Sequence, residues 1–302
     1  MAATTSLLER LSDELAAAVQ RAGRHTVSVH GRRRMPASGV VWSDDGLIVT
    51  SHHVLERDSD LRVGLPSGEM VDAALVGRDP GTDLALLRVA GVAVEAMARA
   101  EHAAEIGTLV LAIGRPGADG AMASLGVVTT VGGEWVTTQG ARVEGFLRTD
   151  AGMLPGFSGG PLVNGSGALL GVNSSTLGRG GGLTLPHVAI AAIVESLLAH
   201  GHVRIGYLGI GTQQVELPAR VVTEHQLPER EALVVVQIES GGPADEAGLV
   251  LGDVVIAADD QPTTSLEVLQ AHLRGDRIGT LLHLRLLRGG VPHLLSVTIG
   301  GR

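Results

Sequence analysis

Short apolar runs separated by turn residues dominate the chain from His25 to about Val172. Gly39–Trp42 and Leu47–Thr50 are two such runs, and the Asp-Gly pair between them is typical of a β-hairpin. Many short strands at this spacing predict a β-barrel or a β-sandwich. The further runs are Leu61–Leu65, Ala73–Val76, Leu84–Val89, Leu109–Ile113, Gly126–Val131 and Leu169–Val172.

Two segments have helical periodicity instead. Leu7, Leu8, Leu11, Leu15 and Val19 recur on one face after a Ser6/Glu9 capping box, which predicts an amphipathic helix of about four turns. This segment is interrupted by acidic residues and lacks the regions of a signal peptide, so we expect it to pack on the next domain or a partner subunit. The second helix is predicted at His187–His200, before Gly201.

The 302 residues suggest about two domains. After an expected linker at 201–206, the chain from Tyr207 to Arg302 has four apolar strands and helices near Ala244–Ala247 and Ser265–Leu273, which predicts a small α/β module. We therefore expect an N-terminal helix at 1–24, a β-rich domain at 25–200 and a C-terminal domain at 207–302.

Composition narrows the function. The net charge of −9 argues against nucleic-acid binding, which needs a basic surface. The absence of Cys excludes disulfides, thiolate metal sites and a Cys nucleophile. Gly178–Gly182 lacks the Lys of a phosphate loop, and His200 and His202 lack flanking ligands, so we expect neither metal nor cofactor. If Met1 is the native start, the protein is expected in the cytoplasm; if an export signal was removed, it is periplasmic or otherwise extracytoplasmic.

The segment Gly156-Phe157-Ser158-Gly159-Gly160-Pro161 is the strongest chemical signal. A nucleophilic Ser needs a tight, exposed turn with N–H groups directed at the developing oxyanion, and flanking glycines allow it. A plain Gly-rich turn and the nucleophile elbow of an α/β-hydrolase also fit the string. The elbow requires the order Ser, acid, His and a strand–turn–helix, whereas candidate His and Asp residues precede Ser158 here and Pro161 indicates strand–turn–strand.

Two histidines and two aspartates compete for the other roles. His52 and His53 follow an apolar strand end, and Asp79 and Asp83 flank the start of another strand. Asp79 precedes Pro80 and is better placed to cap a turn.

At these positions the sequence resembles the HtrA/Deg family of chymotrypsin-fold proteases. The resemblance rests on Gly39-Val40-Val41, Gly77-Arg78-Asp79, Thr82-Asp83-Leu84-Ala85-Leu86-Leu87, Ala112-Ile113-Gly114, Thr149-Asp150-Ala151 and the Ser158 motif, and it extends over roughly residues 10–300. It implies a mainly β protein: a chymotrypsin-like double β-barrel with an N-terminal helix, followed by a small α/β PDZ domain. It also selects His53, Asp83 and Ser158 as the catalytic triad.

The oxyanion hole is expected at the N–H groups of Gly156 and Ser158, together with Phe157. The family usually carries Asn at the position of Phe157, and Gly152–Pro155 also differ from its usual run. We therefore expect a complete triad whose oxyanion loop needs switching on.

The expected substrate pocket contains no acidic residue, which disfavours cleavage after Lys or Arg and favours small or aliphatic residues, as the resemblance also implies. Its residues are Met153, Leu154, Pro155, Asn173, Ser174, Ser175, Leu183, Thr184 and Leu185. In the PDZ domain, a peptide C-terminus is expected at Tyr207, Leu208, Gly209 and Ile210, beside a helix carrying Leu266 and Leu269.

The leading hypothesis is an ATP-independent endopeptidase acting on unfolded or exposed polypeptides, with a PDZ domain that binds peptides or regulates access. The resemblance further implies a homotrimer or a higher homo-oligomer, with neither a nucleic-acid partner nor a membrane span. A catalytically silent chaperone or scaffold is the alternative, to which Phe157 gives some weight. An α/β-hydrolase esterase is disfavoured by chain order.

Overall fold

The computed structural model describes residues 6–33, 35–117, 120–137, 141–178, 182–203, 206–273 and 275–301. The chain divides into two compact units, Met1–Val203 and Arg204–Arg302. Residues 1–5 of the expected N-terminal segment, Arg204 and Ile205 of the expected linker, and Arg302 lie outside the described residues. Within the described ranges, no helix is long and apolar enough to cross a membrane.

Helix α1, Leu7–Gly23, begins at the predicted capping box. The Ser6 hydroxyl accepts a hydrogen bond from the Glu9 N–H at 3.2 Å, and the Glu9 carboxylate accepts one from the Ser6 N–H at 2.7 Å. Ala18 and Ala22 are fully buried, whereas Leu7 and Leu8 are 79% and 77% exposed. Only the second half of α1 therefore packs against its own unit.

A first closed barrel of six strands follows, in the order β1-β2-β3-β6-β5-β4. Because the barrel is closed, none of its strands leaves a free edge. Strands β2 and β3 form the hairpin that the Asp-Gly turn predicts, with Gly39 opposite Thr50. The strands are β1 Thr26–His30, β2 Ala37–Val41, β3 Leu47–Ser51, β4 Leu61–Gly64, β5 Met70–Asp79 and β6 Leu84–Val89.

A second closed barrel has the order β11-β14-β13-β12-β7-β8, and β9 and β10 form a separate two-stranded sheet. Helix α2 then covers His187–His200, with Gly201 at its C-cap in the left-handed region (φ 75°). The strands are β7 Leu109–Gly114, β8 Met122–Gly132, β9 Trp135–Val136, β10 Arg142–Val143, β11 Phe146–Thr149, β12 Pro161–Asn164, β13 Leu169–Ser174 and β14 Leu183–Pro186.

The C-terminal unit is built on a sheet with the path β16-β17-β18-β20-β21, to which β19 adds beside β18. A two-stranded sheet, β15 with β22, completes its strands. The strands are β15 Gly206–Tyr207, β16 Ile210–Glu216, β17 Glu231–Ile238, β18 Val254–Ala258, β19 Gln261–Pro262, β20 Leu281–Arg288, β21 Val291–Thr298 and β22 Gly300–Gly301. The helices are α3 Ala219–Glu224, α4 Pro243–Glu246 and α5 Leu266–Ala271.

This architecture confirms the predicted fold class, a double β-barrel with an N-terminal helix followed by a small α/β unit. Aliphatic side chains fill the barrels, as the low aromatic content requires; Ile48 and Leu87 are buried in the first, Leu162 and Leu147 in the second. Strands β2 and β3 of the first barrel lie against β7 and β13 of the second. Side chains at these strand ends can therefore meet across the two barrels.

Candidate active site

Backbone hydrogen bonds set the positions of His53 and Asp83 relative to each other. Strand β3 ends at Ser51, and a 3-10 turn, His52–Val54, follows at once. Asp83 has φ 56°, a left-handed conformation that Asp tolerates better than most residues. Its carbonyl accepts from the His52 N–H at 2.9 Å, and its Oδ1 accepts from the His53 N–H at 2.9 Å. The two residues therefore lie in a fixed mutual orientation.

The side chains of His53 and Asp83 form a close pair. Nδ1 of His53 is 2.8 Å from Oδ2 and 3.0 Å from Oδ1 of Asp83. The hydroxyls of Ser174 and Thr176 donate to the same Oδ2 at 2.5 Å and 3.0 Å. Burial alone would raise the pKa of Asp83, but the hydrogen bond and charge of His53 and the Ser174 hydroxyl together hold that pKa below its usual value. The carboxylate is thus prepared to orient and stabilise a charged imidazole.

The rival residues have other surroundings. Nδ1 of His52 is buried without a hydrogen-bond partner among the described residues, and burial, helped by the charge of Arg78, lowers the pKa of His52. The Asp79 carboxylate accepts from the N–H groups of Gly81 and Thr82 at 3.2 Å and 3.0 Å, so it caps its own turn. The structure brings the side chain of His53, and not that of His52, to the Asp83 carboxylate.

Ser158 lies in the loop between β11 and β12 and is 8% exposed. Its hydroxyl donates to Oγ of Ser175 at 2.9 Å, and the Ser175 N–H donates back to Oγ of Ser158 at 3.3 Å. The expected hydrogen bond to the His53 imidazole is not formed in the part of the chain that the structure describes. Ser158 is nevertheless joined to the first barrel, because its carbonyl accepts from the Ser38 N–H at 3.1 Å.

Comparison with known proteins identifies the family to which the chain belongs. Residues 37–172, which contain all three residues, match the family described as "Trypsin-like peptidase domain", and residues 206–299 match "PDZ domain". Serine endoprotease DegS of Escherichia coli is 31% identical over 304 residues, covering 93% of this chain and 84% of DegS. The chain belongs to the HtrA/Deg family of serine endoproteases. This confirms the resemblance that the motifs carry.

Two further HtrA/Deg relatives agree. The crystal structure of the serine endoprotease from Yersinia pestis superposes with a TM-score of 0.76 at 30% identity, covering 95% of this chain and 98% of that one. A probable periplasmic serine endoprotease, DegP-like, of Chlamydia trachomatis is 31% identical over 274 residues, which is 89% of this chain. The chain spans only 54% of that relative's length.

The loop before Ser158, where the sequence predicts the oxyanion hole, is built around a turn at Pro155 and Gly156. Gly156 has φ 86°, and the Phe157 N–H closes the turn on the Leu154 carbonyl at 3.1 Å. The N–H of Phe157 is therefore occupied. The N–H groups of Gly156 and Ser158 donate to no acceptor among the described residues, and the Gly156 carbonyl accepts from the Ser38 hydroxyl at 2.7 Å.

The side chain of Phe157 points away from the loop surface. It is fully buried in the core of the second barrel. A Cβ atom at Gly114 would lie 2.5 Å from its ring, so the glycine leaves the space that the ring fills. Phe157, which departs from the family's usual residue, thus anchors the loop to β7.

The predicted pocket residues divide into two groups. Met153 is half-buried, and Leu154, Pro155 and Ser175 are exposed beside the nucleophile's loop. A Cβ at Gly182 would lie 3.0 Å from Cε of Met153, which places that side chain against the segment before β14. The side chains of the remaining members are buried and do not contribute exposed surface to the pocket: Asn173, Ser174, Leu183, Thr184 and Leu185. Of the segment between Asn173 and Pro186, residues 179–181 lie outside the described residues.

The predicted peptide-binding residues of the C-terminal unit lie where β16 begins. Gly209 has φ 75° and its carbonyl accepts from the Glu239 N–H at 2.7 Å, while the Leu208 carbonyl accepts from the Ala244 N–H at 2.9 Å. Strand β16 is at the end of the sheet path, and α5 lies against it. Leu266 of α5 is 45% exposed, whereas Leu269 is buried.

Two residues that contact the site are not among those predicted from the sequence. Ser38 bonds to the carbonyl of Gly156 and, through its N–H, to that of Ser158; Thr176 bonds to Asp83. A polar residue in the apolar run Ala37–Val41 is a signal for Ser38, since buried hydroxyls need partners. The run of three hydroxyl residues that ends at Thr176 is a comparable signal.

Proposed function

We propose that this chain is an ATP-independent serine endopeptidase that cleaves unfolded or exposed polypeptides. The observation that carries the proposal is the His53–Asp83 pair, with 2.8 Å between Nδ1 and Oδ2, in the domain whose loop carries Ser158. Membership of a family of serine endoproteases supports it.

The triad acts in the order that its geometry favours. Ser158 Oγ attacks the carbonyl carbon of the scissile bond, and its proton passes to Nε2 of His53. The tetrahedral intermediate collapses when His53 returns that proton to the leaving amine, which breaks the C–N bond and leaves an acyl-enzyme. Water, deprotonated by His53, then attacks the ester carbonyl of the acyl-enzyme; the bond to Oγ of Ser158 breaks, His53 returns the proton to that oxygen, and the acid is released. Asp83 keeps the proton on Nδ1 and stabilises the imidazolium.

The unpaired N–H groups of Gly156 and Ser158 are the proposed oxyanion hole. Two donors whose hydrogen bonds are not spent within the protein are suited to a developing negative charge. The N–H of Phe157 serves the turn instead, at 3.1 Å from the Leu154 carbonyl. Met153, Leu154 and Pro155 are the accessible part of the proposed pocket, and their apolar character supports cleavage after small or aliphatic residues.

The C-terminal domain, 207–302, is proposed to bind peptide C-termini and to follow a linker at 201–206. An extended peptide would add to the free side of β16, against α5, with its carboxylate at Tyr207–Ile210. Fluorescence anisotropy of labelled peptides that end in aliphatic residues should show binding, and Leu266→Glu should weaken that binding. Equal binding by that variant would remove the groove from the proposal.

A homotrimer or higher homo-oligomer is the proposed assembly. The exposed leucines at the start of α1 support it, because an apolar helix face of this kind is usually covered. Sedimentation of a monomer at micromolar concentration would contradict this. The Chlamydia relative is named as periplasmic, and we propose an extracytoplasmic site of action, which cell fractionation tests.

The function is tested at Ser158. A fluorophosphonate probe should label the wild-type protein, and Ser158→Ala should lose both labelling and casein cleavage, by about 10⁴-fold or more. Ser59→Ala is the matched control, since Ser59 is exposed and distant in sequence from the motif. Cleavage that persists in Ser158→Ala would exclude the triad.

The alternative is a protease fold used as a chaperone or scaffold. The bond between the Ser158 and Ser175 hydroxyls favours it, because the nucleophile is not presented to His53. The two functions separate in one experiment: a scaffold suppresses aggregation of unfolded casein, stays unlabelled by the probe, and keeps its effect in Ser158→Ala.

A further inference from the structure

Three successive hydroxyl residues, Ser174, Ser175 and Thr176, divide between the two ends of the triad. Strand β13 ends at Ser174, and the chain bends at Ser175 and Thr176. The hydroxyls of Ser174 and Thr176 both reach Asp83, whereas that of Ser175 reaches Ser158. One short segment at the end of β13 thus contacts both the acid and the nucleophile.

The contact at Ser158 has a direct chemical consequence. A serine hydroxyl has one proton to donate, and here Ser158 donates it to Oγ of Ser175 at 2.9 Å. The same proton must be directed at Nε2 of His53 before attack on a carbonyl. While the Ser158–Ser175 bond exists, His53 cannot receive that proton.

Ser175 is also free to release the nucleophile. It is exposed, in contrast to the buried Ser174 that holds Asp83. Water or a bound polypeptide can therefore replace Ser158 as its hydrogen-bond partner. The net worth of one neutral hydrogen bond corresponds to a factor of about 2 to 10 in an equilibrium, so the bond reduces the reactive population without abolishing it.

We propose that Ser175 is a built-in restraint on the nucleophile: its hydroxyl competes with His53 for the Ser158 proton and lowers the basal activity. The proposal rests on the proposed function, because it assigns the regulation of the same triad. Activation then requires only that the Ser175 hydroxyl be drawn to another partner, with the backbone of the Ser158 loop left in place.

The test is Ser175→Ala, which removes the competing oxygen and keeps the backbone N–H. We expect kcat/KM on a fluorogenic peptide, and the rate of fluorophosphonate labelling, to rise about 2- to 10-fold. Ser175→Thr keeps the hydroxyl and should keep the low basal rate. Ser59→Ala is the matched control, since it removes an exposed hydroxyl outside the site and should change neither rate.

The outcomes separate the two proposals. Wild-type cleavage that depends on Ser158 but is unchanged or slower in Ser175→Ala overturns the restraint and leaves the protease standing. A probe that labels Ser175→Ala faster than the wild-type protein, with Ser175→Thr unchanged, supports it. Acceleration by Ser59→Ala to the same degree also overturns it, because an effect unrelated to the Ser158 hydroxyl would then be the cause. Cleavage that survives Ser158→Ala refutes the protease itself.

Discussion

The two halves of the proposed triad, the His53–Asp83 pair and Ser158, are held in different ways. Oδ2 of Asp83 receives hydrogen bonds from His53, Ser174 and Thr176, all at 3.0 Å or less, and its Oδ1 receives the His53 N–H. Ser158 is held through its backbone, by Ser38, while its hydroxyl is bound to an exposed residue. The acid–base half is therefore preorganised, whereas the nucleophile's half has a fixed loop and a movable reactive atom.

This difference indicates where control of the activity can reside. A carboxylate that receives several hydrogen bonds keeps its orientation when one partner leaves, because the others remain. A single hydroxyl–hydroxyl bond can exchange with substrate or water at small cost. We infer that regulation acts on the Ser158 hydroxyl, whereas the geometry of the His53–Asp83 pair stays the same.

The largest expected effect comes from disrupting the His53–Asp83 pair. Asp83→Asn should lower kcat/KM by about 10⁴-fold, because an amide that donates to Nδ1 favours the wrong tautomer of His53. Steady-state cleavage of a fluorogenic peptide measures it.

Asp79→Asn is the matched control for that variant. The Asp79 carboxylate caps the neighbouring turn through Gly81 and Thr82 and touches neither His53 nor Ser158. We therefore expect Asp79→Asn to lower the melting temperature while changing kcat/KM little. A loss of less than tenfold in Asp83→Asn would show that the pair is not the acid–base centre.

The next effect tests the fixed loop of the serine half. Ser38 is fully buried; its hydroxyl donates to the Gly156 carbonyl at 2.7 Å and accepts from the Arg115 N–H at 2.8 Å. Ser38→Ala frees that carbonyl, and we expect kcat to fall by about 10²-fold as the oxyanion donors lose their orientation. KM should change little, since no substrate contact is removed.

Ser28→Ala provides the comparison for Ser38→Ala. Ser28 is a buried serine in the same barrel, but its hydroxyl contacts His30 and not the loop. It should leave kcat unchanged at a similar cost in melting temperature. Equal losses of kcat in both variants would reduce Ser38 to a structural role.

The comparison of halves also explains what the sequence could predict. A β-barrel or β-sandwich, α1 and α2 follow from apolar periodicity and turn residues, which are local signals, whereas the double barrel and the choice of His53 and Asp83 follow from the family resemblance. Ser38 and Gly156 are 118 positions apart, and no local pattern records their hydrogen bond. Likewise the sequence predicts Ser175 in the substrate pocket but does not predict its contact with Ser158, because which hydroxyl faces the nucleophile depends on how β13 ends in the folded protein. The sequence also predicts that Phe157 changes the resting conformation of the loop, but it does not show that the ring fills the space left by Gly114, which is a tertiary feature.

The smallest expected effect concerns pH and the strength of the acid–base half. The folded-state pKa of Asp83 is depressed below its ordinary value, in part by the Ser174 hydroxyl. A depressed carboxyl contributes stability that is present above its unfolded-state pKa and is lost as pH falls through the folded-state pKa. Ser174→Ala removes one of the hydrogen bonds that lower this pKa and leaves those of His53 and Thr176 in place. We therefore expect the loss of stability in acid to begin at a higher pH than in the wild-type protein, while kcat/KM at neutral pH falls only a few-fold. Thermal melts of the two proteins across a range of pH measure the shift, and an unchanged fall of melting temperature in acid would mean that Ser174 does not hold the charge on Asp83.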